Sequence, residues 1–148
     1  MPNTPTDFDQ ALAGETSWAA TLGIPDGILE VYALLGSQYY ENGLIEDART
    51  MFNAVVALNA NSHLGYAGLG ALELVNGDAE AARLYLEKAY ARFPQDIVVC
   101  GNLGESLVRL GHPRDAARFL REAAALDPAE TDPYANRARA ILAALPND

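Results

Sequence analysis

The sequence has only three cysteine and histidine residues, the types that most often act as nucleophiles, bases or zinc ligands. The single cysteine, Cys100, falls inside a predicted helix, and the two histidines, His63 and His112, fall near the boundaries of different predicted helices. A metal site needs several such ligands close together, and a catalytic nucleophile needs a base within hydrogen-bond reach. This sequence has neither pattern. We therefore predict a protein that is not an enzyme, with no metal, no cofactor and a buried, unreactive Cys100 thiol.

Three arginines follow one face of a predicted helix in the C-terminal half of the chain. They are Arg114, Arg118 and Arg121, and Arg118 can pair with Glu122 one helical turn later. Asp115 and Glu122 interrupt this basic run, which makes it a poor stripe for nucleic acid. The sequence favours a solvated outer helix face.

Several glycines belong to a sequence pattern that repeats every 34 residues. Gly36, Gly70 and Gly104 are 34 residues apart, and each begins a copy of the same pattern. Each copy has a Leu one residue before the glycine, a second Gly seven residues after it, an Ala twelve after it and a large apolar residue sixteen after it. These positions are Leu35, Leu69 and Leu103; Gly43, Gly77 and Gly111; Ala48, Ala82 and Ala116; and Phe52, Leu86 and Leu120. A fixed period of this length predicts an array of helix–turn–helix repeats.

The helix start and stop signals agree with this period and predict two helices, A and B, in each repeat. The predicted ranges are 27–42 and 45–58, 62–75 and 79–92, and 97–110 and 113–126. Asp26, Asp78 and Asp96 are the predicted N-caps. The glycines at the 34-residue spacing fall in the middle of A helices, where each costs about 1 kcal/mol relative to Ala. We attribute this cost to a close approach of helix B.

The segments outside the repeats are predicted to form terminal helices. The predicted divisions are an N-terminal helical extension (1–27), three repeats (28–130, as 29–62, 63–96 and 97–130), and a C-terminal capping helix with its tail (131–148). Asp132 and Pro133 begin the capping helix, which runs to about Leu145 and covers the last hairpin.

The N-terminal extension is predicted as one helix within residues 6–22. Phe8, Leu12, Trp18 and Leu22 lie roughly on one side of it. Two interpretations of its large aromatic residues remain open. They either cap the first repeat, or they form a homodimer contact through the N-terminal helix.

The charge of the chain is unevenly distributed. The formal net charge is −10; residues 1–80 hold eleven acidic residues against Arg49 alone, whereas residues 81–148 hold nine of each sign. An acidic half repels phosphate backbones and anionic lipid, so nucleic acid and membranes are not expected partners. No apolar run approaches the ~20 residues of a membrane helix, and the first residues lack the pattern of a secretion signal. We expect a cytoplasmic protein.

The 34-residue pattern resembles the tetratricopeptide repeat (TPR) family over about residues 29–130. The resemblance implies an all-α fold: a right-handed α–α superhelix of three TPR helix hairpins with an N-terminal helix and a C-terminal capping helix. In that family the A helices line a concave groove that binds peptides. The resemblance places twelve residues at or beside this groove: Glu30, Ala33, Ser37, Tyr40, Leu64, Ala67, Ala71, Leu74, Val98, Asn102, Glu105 and Val108.

The side chains at these predicted groove positions are mostly small or apolar. Such a surface suits an extended or helical segment of a client protein that carries apolar anchors. The alternative is that some of these positions pack against the N-terminal or C-terminal helix, which would leave the groove partly occluded. The sequence leaves both open.

A narrower resemblance is to the class II chaperones of type III secretion, which bind translocator proteins in the bacterial cytoplasm. It is carried by the stretch LEVYALLGSQYYENGLIEDA at 29–48, by Phe52 and by the run GLGA at 68–71. It implies a chaperone that holds a secreted translocator. The chain departs from that family at Ala33 and Ser37, where aromatic residues are usual, and keeps only Tyr40. The other interpretation is a TPR scaffold or adaptor within a larger assembly.

Overall fold

The computed structural model describes residues 6–146, with the side chain of residue 26 left out, and this part of the chain is helical without any strand. Two short helices come first, α1 (Asp7–Leu12) and α2 (Trp18–Thr21). Six longer helices follow: α3 (Asp26–Glu41), α4 (Ile45–Leu58), α5 (His63–Asn76), α6 (Ala79–Arg92), α7 (Ile97–Arg109) and α8 (Pro113–Ala125). The last is α9 (Pro133–Ala144). The predicted all-α fold is confirmed, and the helices of the repeats begin and end within about two residues of the predicted positions.

The turn after each A helix is built around a glycine with a left-handed backbone. Gly43, Gly77 and Gly111 have φ angles of 75°, 83° and 80°. In each turn the glycine N–H and the next N–H bond back to the last carbonyl groups of the helix, as in Gly77 to Leu74 at 3.2 Å and Asp78 to Glu73 at 2.9 Å. This arrangement satisfies carbonyl groups that would otherwise lack donors, and glycine adopts it at little cost.

Most of the predicted helix N-caps are confirmed. The side chain of Asp78 accepts a hydrogen bond from the N–H of Ala81 at 2.9 Å, and that of Asp96 accepts one from Val99 at 3.1 Å. Asp26 was predicted as the N-cap of the first A helix, and this is wrong. Pro25 occupies that position with an extended backbone (ψ 141°), because the helix begins one residue earlier than expected.

The prediction of one continuous N-terminal helix is also wrong. The chain breaks between α1 and α2 because Gly14 adopts a φ of 75° and the N–H of Glu15 turns back to the carbonyl of Gln10 at 2.8 Å. Ser17 then starts α2 by accepting a hydrogen bond from the N–H of Ala20 at 3.1 Å. Both are local helix-end signals, and together they are strong enough to divide the segment.

The chain divides into two compact units, with unit 1 ending at Gly68 and unit 2 beginning at Leu69. Helix α5 therefore contributes its first residues to unit 1 and its remaining residues to unit 2. The core of unit 1 joins α2, α3 and α4, and its buried members are Ala19, Leu29, Ala33 and Val55.

The Phe52 ring of unit 1 packs directly against the backbone at two glycines. A Cβ atom added at Gly36 would lie 2.8 Å from this ring, and one added at Gly68 would lie 2.3 Å from it. Both distances are far below van der Waals contact. The ring of α4 thus holds α3 on one side and the first part of α5 on the other.

Unit 2 repeats the same contact twice. A Cβ added at Gly70 would lie 2.5 Å from the Cγ of Leu86, and one added at Gly104 would lie 2.6 Å from the Cγ of Leu120. The central hydrophobic cluster of this unit draws on α5 to α9 and includes Leu74, Ala82, Leu86, Cys100, Leu103, Leu107, Ala116, Leu120, Ala123 and Ala138. The close approach of helix B to the mid-helix glycine, expected from the repeat, is therefore present in each hairpin.

The two glycines of α7 provide a test of this contact. Gly104→Ala places a methyl group against Leu120 and should destabilise the fold by about 1–3 kcal/mol through overpacking. Gly101 lies three residues earlier in the same helix, and a Cβ there would meet nothing closer than 3.8 Å. Gly101→Ala should therefore be neutral or stabilising by up to about 1 kcal/mol. Urea unfolding followed by circular dichroism measures both, and equal effects of the two substitutions would refute the assignment.

Candidate protein-binding surface

In unit 1, α3 carries four of the predicted groove residues. Glu30 and Ser37 are exposed, Tyr40 is half-buried, and Ala33 is only 6 % exposed. Ala33 lies in the core cluster with Ala19 of α2, so it supports the surface from below and is not available to a partner. The Ser37 hydroxyl donates to the carbonyl of Ala33 at 3.1 Å, which keeps this side chain close to its own helix.

The first part of α5 adds Leu64 and Ala67 to unit 1. Both are half-buried, and Leu64 packs against the core cluster of that unit. The accessible predicted groove residues of unit 1 are therefore Glu30, Ser37, Tyr40, Leu64 and Ala67. They include one charged and one aromatic side chain.

In unit 2 the predicted groove residues divide into accessible and covered ones. Ala71, Val98 and Val108 are half-buried, whereas Leu74 lies within the central hydrophobic cluster at 6 % exposure. Asn102 and Glu105 are buried in α7 and, together with residues of α9, line a cavity of only about 10 Å³. The C-terminal helix α9 therefore covers this part of α7. This agrees with the alternative in which some of the predicted groove positions pack against a terminal helix.

The covered carboxylate of Glu105 is held by two arginines. It accepts a hydrogen bond from Arg109 of its own helix at 2.6 Å, and it pairs with Arg137 of α9 at 2.7 Å. Arg109 also donates to the carbonyl of Leu74 at 2.8 Å. Burying a carboxylate is costly unless such partners are present. The sequence pattern does not single out Arg137, because its partner Glu105 lies 32 positions earlier in the chain.

A second carboxylate anchors the segment that leads into α9. Asp127 accepts a hydrogen bond from the N–H of Asp132 at 3.0 Å and lies 3.4 Å from Arg139. The backbone N–H of Asp132 is the main reason that the pKa of Asp127 lies below its usual value, with Arg139 adding to it. A lowered pKa means that the interaction stabilises the fold at neutral pH and is lost as the pH falls through that pKa.

Cys100 lies fully buried in unit 2, as predicted. Its thiol donates to the carbonyl of Pro94 at 3.3 Å. Burial raises the pKa of Cys100 to about 11, and the negative charges of Glu122 and Asp96 add to this shift. Among residues 6–146 no group of three or more His, Cys, Asp or Glu side chains could hold a metal ion.

The comparisons with known proteins place the chain in a family. Models of the tetratricopeptide repeat match residues 34–97 and 74–142, which together cover 34–142. The chain belongs to the tetratricopeptide repeat family, a class of protein-binding module.

No helix in the described part of the chain is long and apolar enough to cross a membrane.

Solved structures show the same fold. The type III secretion translocator chaperone SycD of Yersinia enterocolitica is 22% identical, with a TM-score of 0.71 over 88% of this chain and 98% of that one. PcrH, solved with the chaperone binding region of PopB, is 26% identical, with a TM-score of 0.67 over 81% of this chain and 98% of that one. The chain thus resembles the translocator chaperones.

A curated relative is much longer than this chain. The CTR9 homolog of Arabidopsis thaliana is 28% identical over 124 residues, which cover 81% of this chain and only 11% of that protein.

The environment of Cys100 predicts slow reaction with thiol reagents. Only the thiolate reacts, so a pKa near 11 together with burial should slow the reaction with Ellman's reagent at pH 8 by at least about a hundredfold relative to the chain unfolded in urea. Absorbance of the released thiolate measures the rate. Complete labelling of the folded protein within the mixing time would contradict the prediction.

Proposed function

We propose that this protein is a chaperone that holds an extended, apolar segment of a client protein, as the translocator chaperones of type III secretion do. The observation that carries the proposal is the likeness to PcrH, which has been solved with the chaperone binding region of PopB. SycD, which shares the fold, has been solved with a peptide of the translocator YopD. On this proposal the protein acts in the cytoplasm, covers apolar client surface without chemistry, and releases the client on secretion.

We assign client binding to the accessible members of the predicted groove set. In unit 1 these are Glu30, Ser37 and Tyr40 of α3, with the half-buried Leu64 and Ala67 of α5. In unit 2 the half-buried Ala71, Val98 and Val108 take this role. The buried members, Ala33, Leu74, Asn102 and Glu105, fix the shape of each surface from below. A short segment held in this way binds in the micromolar range, at about −8 kcal/mol.

Two adjacent tyrosines of α3 allow a matched test of this assignment. Tyr39 and Tyr40 are both half-buried but lie about 100° apart around the helix, and only Tyr40 belongs to the proposed surface. Tyr40→Ala should weaken client binding about tenfold, or about 1.4 kcal/mol, whereas Tyr39→Ala should leave the affinity within about twofold.

The client protein has to be identified before its affinity for each variant can be measured. The protein is purified from cells of its source organism, cross-linked partners are identified by mass spectrometry, and overlapping peptides of the partner locate the bound segment. Fluorescence anisotropy then gives the affinity of that peptide for each variant. The surface assignment is wrong if Tyr40→Ala binds like the unmodified protein or if both tyrosine variants weaken binding equally.

We also propose a homodimer contact through the N-terminal helical segment of unit 1, extended by the exposed side of α3. Phe8 packs edge-on against Trp18 with ring centroids 5.3 Å apart, yet Phe8 is still 56 % exposed. Val31 and Leu34 of α3 are also exposed, on the side of that helix away from its core residues. Exposed large apolar side chains are typical of an interface.

The oligomeric state tests this contact. Val31→Glu combined with Leu34→Glu should convert a dimer into a monomer, because charges at an apolar interface lose their hydration. The control is Val75→Glu, an exposed valine of unit 2 that should leave the dimer intact. Sedimentation equilibrium measures the mass of each, and a monomeric unmodified protein would end the proposal.

A scaffold role is the second candidate function. It is favoured by the match to the CTR9 homolog, in which a segment like this chain makes up 11% of a far longer protein. The cross-linking experiment separates the candidates: folded subunits of one assembly indicate a scaffold, whereas a single client with long apolar segments indicates a chaperone.

A further inference from the structure

A cavity of about 350 Å³ lies in unit 1, where the N-terminal segment meets the end of α4. The N-terminal segment contributes Leu12 and Trp18 to its lining, and the end of α4 with the following turn contributes Ala57, Leu58 and Asn61. The volume falls within the range of small-ligand and side-chain binding sites. None of the residues that we assign to the client surface belongs to this lining. A ligand in this cavity would therefore be distinct from the client segment.

The end of α4 offers hydrogen-bond acceptors and a partial negative charge to this cavity. The last carbonyl groups of a helix have no partner within it, and they form the negative end of the helix dipole. The N–H groups of Asn61 and Ser62 donate to Asn59 at 2.9 and 3.0 Å, so they do not bond back to the helix. No basic side chain occupies the last turn of α4, all of which the structure describes. The end of this helix therefore favours a cation.

The charged residues around the cavity are mainly acidic. Arg49 is the one Lys or Arg among residues 1–68, which also hold eight acidic residues. Glu15 is one of these; it is exposed and lies between Gly14 and Thr16, which both line the cavity. Among the described residues, no lysine or arginine belongs to the lining. A cation from another molecule is therefore attracted without competition from a basic side chain of the lining.

Trp18 gives the cavity an aromatic surface that is held in place. It is half-buried, and its ring meets the Phe8 ring edge-on with centroids 5.3 Å apart. Leu58 packs against the core of unit 1, whereas Leu12 is 65% exposed and offers an apolar contact. An indole ring attracts a cation over its face. A guanidinium group is planar, stacks on such a ring and has five donors for several carbonyl groups.

We propose that this cavity binds the arginine side chain of a partner segment in which apolar residues flank the arginine. The guanidinium donates to the carbonyl groups at the end of α4 and stacks on the Trp18 ring, while a flanking apolar side chain contacts Leu12. A lysine fits less well, because its ammonium group is a compact point charge that cannot stack. The acidic residues of unit 1 attract either cation, so a preference for arginine distinguishes binding in the cavity from general attraction.

The fluorescence of Trp18 reports on this cavity, because Trp18 is the single tryptophan of the chain. The probe is the peptide acetyl-Ser-Leu-Arg-Leu-Ser-amide, titrated at about 0.15 M salt. Its binding should change the Trp18 emission to saturation at sub-millimolar concentration. A matched peptide with citrulline in place of arginine keeps the shape of the side chain without its charge, and it should bind at least about tenfold more weakly. The lysine peptide should bind about fivefold more weakly.

Two lysine substitutions on α4 that add the same charge locate the site. Ala57→Lys places an ammonium group at the cavity and should weaken binding of the arginine peptide at least about tenfold. Thr50→Lys is the control, because Thr50 is exposed on α4 and lies about 10.5 Å along the axis before Ala57. A charge at that distance is largely screened, so the affinity should stay within about twofold. Circular dichroism checks that both variants are folded.

The proposal is overturned if the arginine peptide binds no more tightly than the citrulline or lysine peptide, or if the two lysine variants behave alike. It is also overturned if the Trp18 emission shows no saturable change at millimolar concentration of the arginine peptide. Tyr40→Ala should not affect this probe. A negative result therefore leaves the client surface of α3 as it stands.

Discussion

The packing of a large apolar side chain against a helix backbone determines most of this structure. Gly36, Gly70 and Gly104 have no Cβ, so Phe52, Leu86 and Leu120 reach the backbone of the preceding A helix directly. Any larger residue at the glycine would require these side chains or the helices that carry them to shift. Because the contact recurs every 34 residues, each hairpin has the same side of its A helix fixed against helix B, and the positions that helix B leaves uncovered recur with the same period.

The terminal helices then determine which of the predicted groove residues are exposed in each unit and which are covered. In unit 1, α2 contributes Ala19 to the core beside Ala33, and α3 keeps Glu30 and Ser37 exposed. In unit 2, α9 covers Asn102 and Glu105, and Arg137 compensates the buried carboxylate. Equivalent repeat positions therefore serve as surface in one unit and as internal support in the other. A capping helix must bury the apolar face of the last repeat, and here it also covers the polar residues beside that face.

The charges follow a similar division. Acidic residues dominate positions 1–80, whereas the arginines are concentrated beyond position 80 and are largely used within unit 2. Arg109 and Arg137 hold Glu105, and Arg118 holds Glu122. Arg121 lies exposed on α8.

The sequence by itself determined the helices of the repeats, their turns and the role of the mid-helix glycines. These features depend on local signals, such as Asp78 and Asp96 as N-caps, and on a period that is visible in one chain. Local signals were misjudged at Gly14, which divides the N-terminal helix, and at Pro25, which replaces Asp26 as the N-cap. Only the tertiary structure decided which predicted groove residues are covered. The burial of Glu105 depends on Arg137, and that of Leu74 on a cluster reaching Ala138. Contacts between residues more than 30 positions apart leave no periodic trace in the sequence, because each is made once.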